Sequence, residues 1–104
     1  MTEAAKMVAD EGGVLKLAGP VIIETHVAMR ESAASYIGQA DWIVDWSAVT
    51  DVDSSALALL FAWERASHAA GKTIRSRGLP VNLASLAELY GVAELLPTTS
   101  ASLS

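Results

Sequence analysis

The chain of 104 residues contains no cysteine, which excludes both disulfide bonds and thiolate metal sites. Positive charge is also scarce, because 7 Lys and Arg residues stand against 12 Asp and Glu residues. Binding to a phosphate backbone needs a basic face, and the densest basic group here is Lys72, Arg75 and Arg77. We interpret these three residues as charges that flank a strand, so we predict no binding to nucleic acid.

The sequence has no long apolar run, and its first residues lack the pattern expected of a secretory leader. Its longest apolar run, 56–63, is far shorter than the roughly 20 residues that a membrane helix needs. The first 13 residues include Glu3, Asp10 and Glu11 and have no apolar centre, which is unlike a signal peptide. We therefore expect a cytoplasmic protein without direct membrane insertion, which a partner can still hold at a membrane.

What the sequence does have is apolar residues, which make up 52% of the chain while charged residues make up 18%. This composition is typical of a folded chain, and the length fits one domain over 1–104 with a single core. We predict a core over about 6–97 and a mobile polar tail over 98–104. The apolar excess also favours a surface that a partner covers.

Hydrophobic periodicity predicts alternating strands and helices. A hairpin over 6–18 turns at Asp10-Glu11-Gly12-Gly13, because paired glycines accept positive φ. The later predicted elements are a helix over 22–37, a strand over 41–46, an exit loop over 50–53, a helix over 54–70, a strand over 72–76, a helix over 82–90 and a short segment over 93–96. This order predicts the α/β class, a mixed sheet with helices on it.

The segment 51–60 delivers two hydroxyls and a carboxylate to the start of a helix. Ser54 or Ser55 is placed to cap that helix, and on physical grounds alone a cap is the favoured interpretation over a regulatory site. The first two turns after the serines are apolar over most of their circumference, so they must be covered. Either the last helix covers them, or they form a partner surface around Ser54, Ser55 and Leu57.

Catalytic and metal-binding patterns have little support. His26 and His68 lie far apart without ligand-like neighbours, so we expect surface or capping roles for both. A Ser54–His68 pair is excluded within one subunit because about 20 Å of helix separates the two ends. Asp51 and Asp53 alone are a common chance arrangement, and no glycine-rich phosphate loop is present. We predict no enzyme activity, no metal and no cofactor.

The run DWSAVTDVDSSALALL, from Asp45 to Leu60, resembles the STAS domain. That family has a strand ending in Asp-x-Ser, a loop with Asp-Ser-Ser-Gly or Asp-Thr-Ala-Gly, and a leucine-rich helix. The segment 15–19 resembles its opening strand, and the closing 86–97 resembles the STAS subunit of the Mla phospholipid-transport ABC transporter. The resemblance covers about 14–97 and implies a mixed sheet of four to five strands with three to four helices.

Two branches of the family imply different partners. The Mla branch implies a non-catalytic cytoplasmic subunit that binds and supports the transporter ATPase, with Ser54 at the surface that grips it. The anti-sigma-factor antagonists imply instead phosphorylation of Ser55 by a partner serine kinase. Ala56 stands where the antagonists usually have glycine, so the Mla branch is our first hypothesis. The residues expected to contact the partner are Asp53, Ser54, Ser55, Ala56, Leu57 and Phe61.

Overall fold

A computed structural model describes residues 5–10 and 12–95. Its elements alternate between strands and helices after an opening hairpin, which confirms the predicted α/β class. In chain order they are β1 (Lys6–Asp10), β2 (Val14–Val21), α1 (His26–Ala33), β3 (Trp42–Val52), α2 (Ser54–Ala69), β4 (Ile74–Arg77), α3 (Val81–Leu89) and a 3₁₀ turn (Ala93–Leu95).

The opening hairpin forms where the paired glycines predict it. Gly13 has a φ of 86°, a conformation that glycine adopts without strain, and its amide donates to the carbonyl of Asp10 at 3.1 Å. The Asp10 carboxylate also accepts a hydrogen bond from the amide of Gly12 at 2.7 Å. Asp10 therefore stabilises the turn with both its backbone and its side chain.

The strands of the described residues form one four-stranded sheet in the order β1-β2-β3-β4. β1 runs antiparallel to β2, whereas β2, β3 and β4 are parallel, so the sheet is mixed as predicted. The face that packs against the helices, which we name the covered face, carries the buried side chains Leu15, Leu17, Val44, Trp46 and Ile74. The other face, here the open face, carries exposed or half-buried residues including Lys16, Asp45, Arg75 and Arg77.

β3 continues to Val52, so the predicted exit loop over 50–53 is wrong. Two β-bulges explain the error, because each inserts one extra residue into β3 opposite β2. The first lies between the pairs Lys16–Asp45 and Ala18–Ala48, and the second lies between the pairs Gly19–Val49 and Val21–Val52. Each bulge reverses the alternation of side chains. As a result Val49 and Val52 pack against the core although simple alternation would not place both there.

α1 is shorter than the helix predicted over 22–37, because it begins at His26 and ends at Ala33. Before it, the Thr25 hydroxyl accepts from the amide of Ile22 at 3.0 Å and donates to the carbonyl of Pro20 at 2.7 Å, which closes a turn. The helix buries Met29 and Ala33. Ile23, before the helix, and Val27, within it, are exposed.

α3 packs beside α2 and buries Leu83 and Ala87 completely. The apolar first turns of α2 are covered within the domain, since Ala56 and Leu60 are buried completely. None of the helices in the described residues is long and apolar enough to cross a membrane. The tail predicted as mobile over 98–104, and Leu96 of the last predicted segment, lie outside the described residues.

Candidate protein-binding site

The start of α2 is built around the Asp53 carboxylate. Asp53 has an extended backbone, with φ −138° and ψ −167°, and is the N-cap of the helix. Its Oδ1 atom accepts a hydrogen bond from the amide of Ser55 at 2.8 Å, which satisfies one of the free amides of the first turn. The prediction that Ser54 or Ser55 caps the helix is therefore wrong, since the residue before them does so.

The same carboxylate also holds the loop that precedes α1. Its Oδ2 atom accepts from the amide of Ile23 at 2.9 Å, so Asp53 joins two segments that are 30 residues apart. The two loops meet because β2 and β3 run parallel and end together, with Val21 opposite Val52. Asp53 thus fixes the position of the α1 loop relative to the start of α2.

The two serines differ in accessibility. Ser54 is the first residue of α2 and is exposed, whereas Ser55 is half-buried. Capping by Asp53 leaves neither hydroxyl needed for the helix end. A primary hydroxyl in this position can donate a hydrogen bond to a docked protein or accept one from it. It can also accept a phosphoryl group from a kinase.

Two of the six predicted contact residues do not lie on the surface. Ala56 is buried completely and Leu57 is 5% exposed, because both pack in the core of the domain. The expectation that they supply apolar contacts to a partner is contradicted by this burial. Phe61 is half-buried and packs against the same core.

Sequence reasoning missed Ile23, whose side chain is 60% exposed beside the start of α2. Its amide is the one bound to Asp53, so Ile23 and Ser55 are joined through one carboxylate. Thr25 was the available signal, because a threonine hydroxyl can bond to nearby backbone groups and so favour a turn over a helix. We name Ile23, Asp53, Ser54 and Ser55 the α2 start surface.

The loops of this surface are acidic. The segments 22–25 and 51–55 contain Glu24, Asp51 and Asp53 and no lysine or arginine. The N-terminal end of a helix favours negative charge, while the three carboxylates oppose more of it. A phosphoryl group added here would therefore be stabilised by the helix end and repelled by the carboxylates.

The Ser54 hydroxyl and the His68 ring lie near opposite ends of α2. Ser54 begins α2 and His68 lies in its last turn, which separates them by about 20 Å of helix. Within the residues that the structure describes, no three His, Cys, Asp or Glu side chains are grouped so as to hold a metal ion.

Comparisons with known proteins agree with this architecture. The anti-sigma factor antagonist SpoIIAA, in its unphosphorylated form, superposes with a TM-score of 0.68 at 12% identity, over 95% of this chain and 90% of that chain. An anti-sigma factor antagonist from Mycobacterium paratuberculosis superposes with a TM-score of 0.69 at 20% identity, over 97% of this chain and 92% of that chain. At these identities the likeness shows a shared fold.

The sequence comparisons are more specific for the family. No curated protein sequence matches the chain. A family model described as "Mlab, STAS domain" matches residues 5–97. Because that match covers most of the chain, this protein belongs to the STAS domain family.

Proposed function

We propose that this STAS domain is a non-catalytic protein-binding module that acts as an anti-sigma-factor antagonist, switched by phosphorylation at the start of α2. The observation that carries the proposal is the α2 start surface itself, where Asp53 caps the helix and leaves the exposed Ser54 hydroxyl and the half-buried Ser55 hydroxyl without a capping role. The two solved structures of the same fold, both described as anti-sigma factor antagonists, support this class of partner.

Phosphorylation would change this surface in a definite way. A phosphoserine adds between one and a half and two negative charges at neutral pH, next to loops that already hold Glu24, Asp51 and Asp53. It would also bring new acceptor oxygens close to the Ser55 amide, which is the helix amide that Asp53 now binds. The expected result is a weaker Asp53–Ile23 hydrogen bond and a partner surface with a different shape and charge.

The experiment is intact-mass measurement after incubation with the serine kinase of the native partner-switching pathway and ATP. We expect the wild-type chain to gain the mass of one phosphoryl group. By resemblance to the antagonists we expect the group on Ser55, so Ser55→Ala should abolish the gain and Ser54→Ala should retain it. The reverse pattern would move the site to the more exposed hydroxyl, and no gain in the wild type would refute the phospho-switch.

A second candidate function is to bind the ATPase subunit of an Mla-type phospholipid-transport ABC transporter. The description of the matching family model supports it, as does Ala56 in the place of the usual antagonist glycine. In this case the α2 start surface would dock on the ATPase at the inner membrane without chemistry of its own. Ile23 would then supply the exposed apolar contact that Ala56 and Leu57 cannot supply.

Co-purification from the native bacterium tests the second candidate. Ser54→Arg should abolish recovery of an ABC ATPase with its permease while the thermal unfolding midpoint of the domain stays near that of the wild type. Ser85→Arg, at an exposed position of α3, is the matched control and should leave recovery unchanged. Equal recovery with both variants would exclude the α2 start surface as the ATPase contact.

A further inference from the structure

β1 is the outermost strand of the sheet and pairs, among the described residues, only with β2. The Asp10 carbonyl accepts from Gly13 and therefore faces the hairpin partner. Because backbone groups alternate in direction along an antiparallel strand, those of Met7 and Ala9 face away from β2. Such an edge is a template on which another strand can pair.

The side chains of β1 are complementary to their own reversed copy. Lys6, Val8 and Asp10 pair with Ala18, Lys16 and Val14 of β2, so all three lie on the open face. If a second β1 runs antiparallel with Val8 opposite Val8 of the second copy, Lys6 lies opposite Asp10 of the second copy, and the same pair repeats across the two-fold axis. Opposite charges across a strand pair stabilise it, and like charges destabilise it.

Val8 provides the apolar centre of this arrangement. Its side chain is 62% exposed although it lies in the middle of a strand. With Met7 and Ala9 forming the outward hydrogen bonds, Val8 becomes a non-hydrogen-bonded pair, the type that brings side chains closest together. The contact would cover an apolar group that the isolated domain leaves in water.

The register is selected by charge. Parallel pairing would place Lys6 against Lys6 and Asp10 against Asp10, while a shift of two residues would separate the opposite charges. β1 also lacks proline, and its register with β2 is continuous from Lys6 to Asp10, so no bulge turns the edge away. Proline and bulges are common protections of an edge strand.

We propose that a second copy of this chain pairs antiparallel with β1 about Val8 and joins the two sheets across a two-fold axis. A two-fold contact of this kind is closed, so it yields a dimer and not a filament. The contact uses no residue of the α2 start surface. Its test is therefore independent of the partner proposed above.

The first experiment is sedimentation equilibrium of the full chain over a concentration series. We expect the mass to rise from 10.9 kDa toward twice that value as concentration increases. Lys6→Glu makes both ends of β1 acidic, and Asp10→Lys makes both ends basic, so each variant alone should stay monomeric. An equimolar mixture of the two should form a heterodimer. A wild type that stays monomeric throughout the series, or a Lys6→Glu variant that dimerises like the wild type, would overturn the proposal.

A second pair of variants covers the structural roles of Asp10, which bonds to Gly12 and lies 3.8 Å from the Lys16 ammonium. Val8→Lys places like charges at the centre of the two-fold contact and should remove the dimer. Thr50→Lys, an exposed position on β3, is the matched control and should leave the dimer intact. Persistence of the dimer with Val8→Lys would mean that another surface holds it, which would equally refute pairing at β1.

Discussion

The two faces of the sheet differ in residue composition although the same strands form both. On the covered face, Val44, Trp46 and Leu15 are buried completely. On the open face, the neighbouring positions Asp45 and Lys16 remain in contact with water. The alternation of side chains along a strand thus divides the domain into a face that stabilises it and a face that contributes little. The contrast teaches that residues which contact partners can be substituted with little loss in the free energy of unfolding, provided that they do not lie on the covered face.

Trp46→Ala is the substitution with the largest expected effect, and it tests the contrast between the two faces. Trp46 is fully buried, and its indole amine donates to the Ser76 hydroxyl at 3.2 Å. We expect a loss of about 3–5 kcal/mol in the free energy of unfolding, because a large cavity replaces the ring. Urea unfolding followed by circular dichroism measures it. The control is Ser47→Ala on the exposed part of β3, and equal losses for the two variants would contradict the division between the faces.

An intermediate effect is expected at the boundary between the sheet and α2. Asp53→Ala removes the acceptor of the amides of Ser55 and Ile23, and we expect a loss of about 1–2 kcal/mol. The adjacent Ser54→Ala removes an exposed hydroxyl and should change the free energy of unfolding by less than about 0.5 kcal/mol. The same urea titration compares them. If Ser54→Ala were the more destabilising, the assignment of Asp53 as the cap would be wrong.

The smallest effect belongs to Asp45 on the open face. The hydrogen bond from the Ser47 hydroxyl is the main cause that holds the pKa of this carboxyl below its ordinary value, partial burial opposes it, and the Ser47 amide and Arg77 add to the lowering. A lowered pKa means that the folded state favours the charged form. Asp45 therefore stabilises the fold at pH values above 3.8, the ordinary pKa of this carboxyl. The contribution is lost as the pH falls through the lower pKa of the folded state.

Asp45→Asn measures that contribution. We expect the variant to be less stable than the wild type by under about 1 kcal/mol at neutral pH, as is usual for a surface ion pair. The difference should shrink as the pH is lowered below 4, since the wild type then loses the same charge. Unfolding free energies measured at several pH values test this, and a difference that grows toward acid would contradict the sign of the shift.

Local chemistry explains which elements the sequence predicted well. The glycine pair at 12–13 predicts the hairpin, and the helical spacing after Asp53 predicts α2 almost to its ends, which lie at Ser54 and Ala69. β3 was predicted too short because its two bulges arise from pairing with β2, and pairing is not visible in a local pattern. α1 was predicted too long because the Thr25 hydroxyl closes a turn where apolar spacing alone indicated helix.

The candidate site was predicted in part for the same reason. The segment that carries Ser54 and Ser55 could be found from its residue types at the start of an apolar helix. The burial of Ala56 and Leu57 depends on packing within the folded domain, and the exposure of Ile23 depends on where α1 begins. Only the tertiary structure shows that Asp53 connects two distant loops.

The bond between Asp53 and Ile23 also provides a natural sensor. A backbone amide held by a carboxylate exchanges its hydrogen with solvent only when that contact opens. The amide of Ile23 is 2.9 Å from Asp53 Oδ2, while Asp53 Oδ1 is bound to Ser55 next to the candidate phosphorylation site. Hydrogen exchange at this one amide, in a different segment of the chain, would therefore report modification or docking at the start of α2 without any added label.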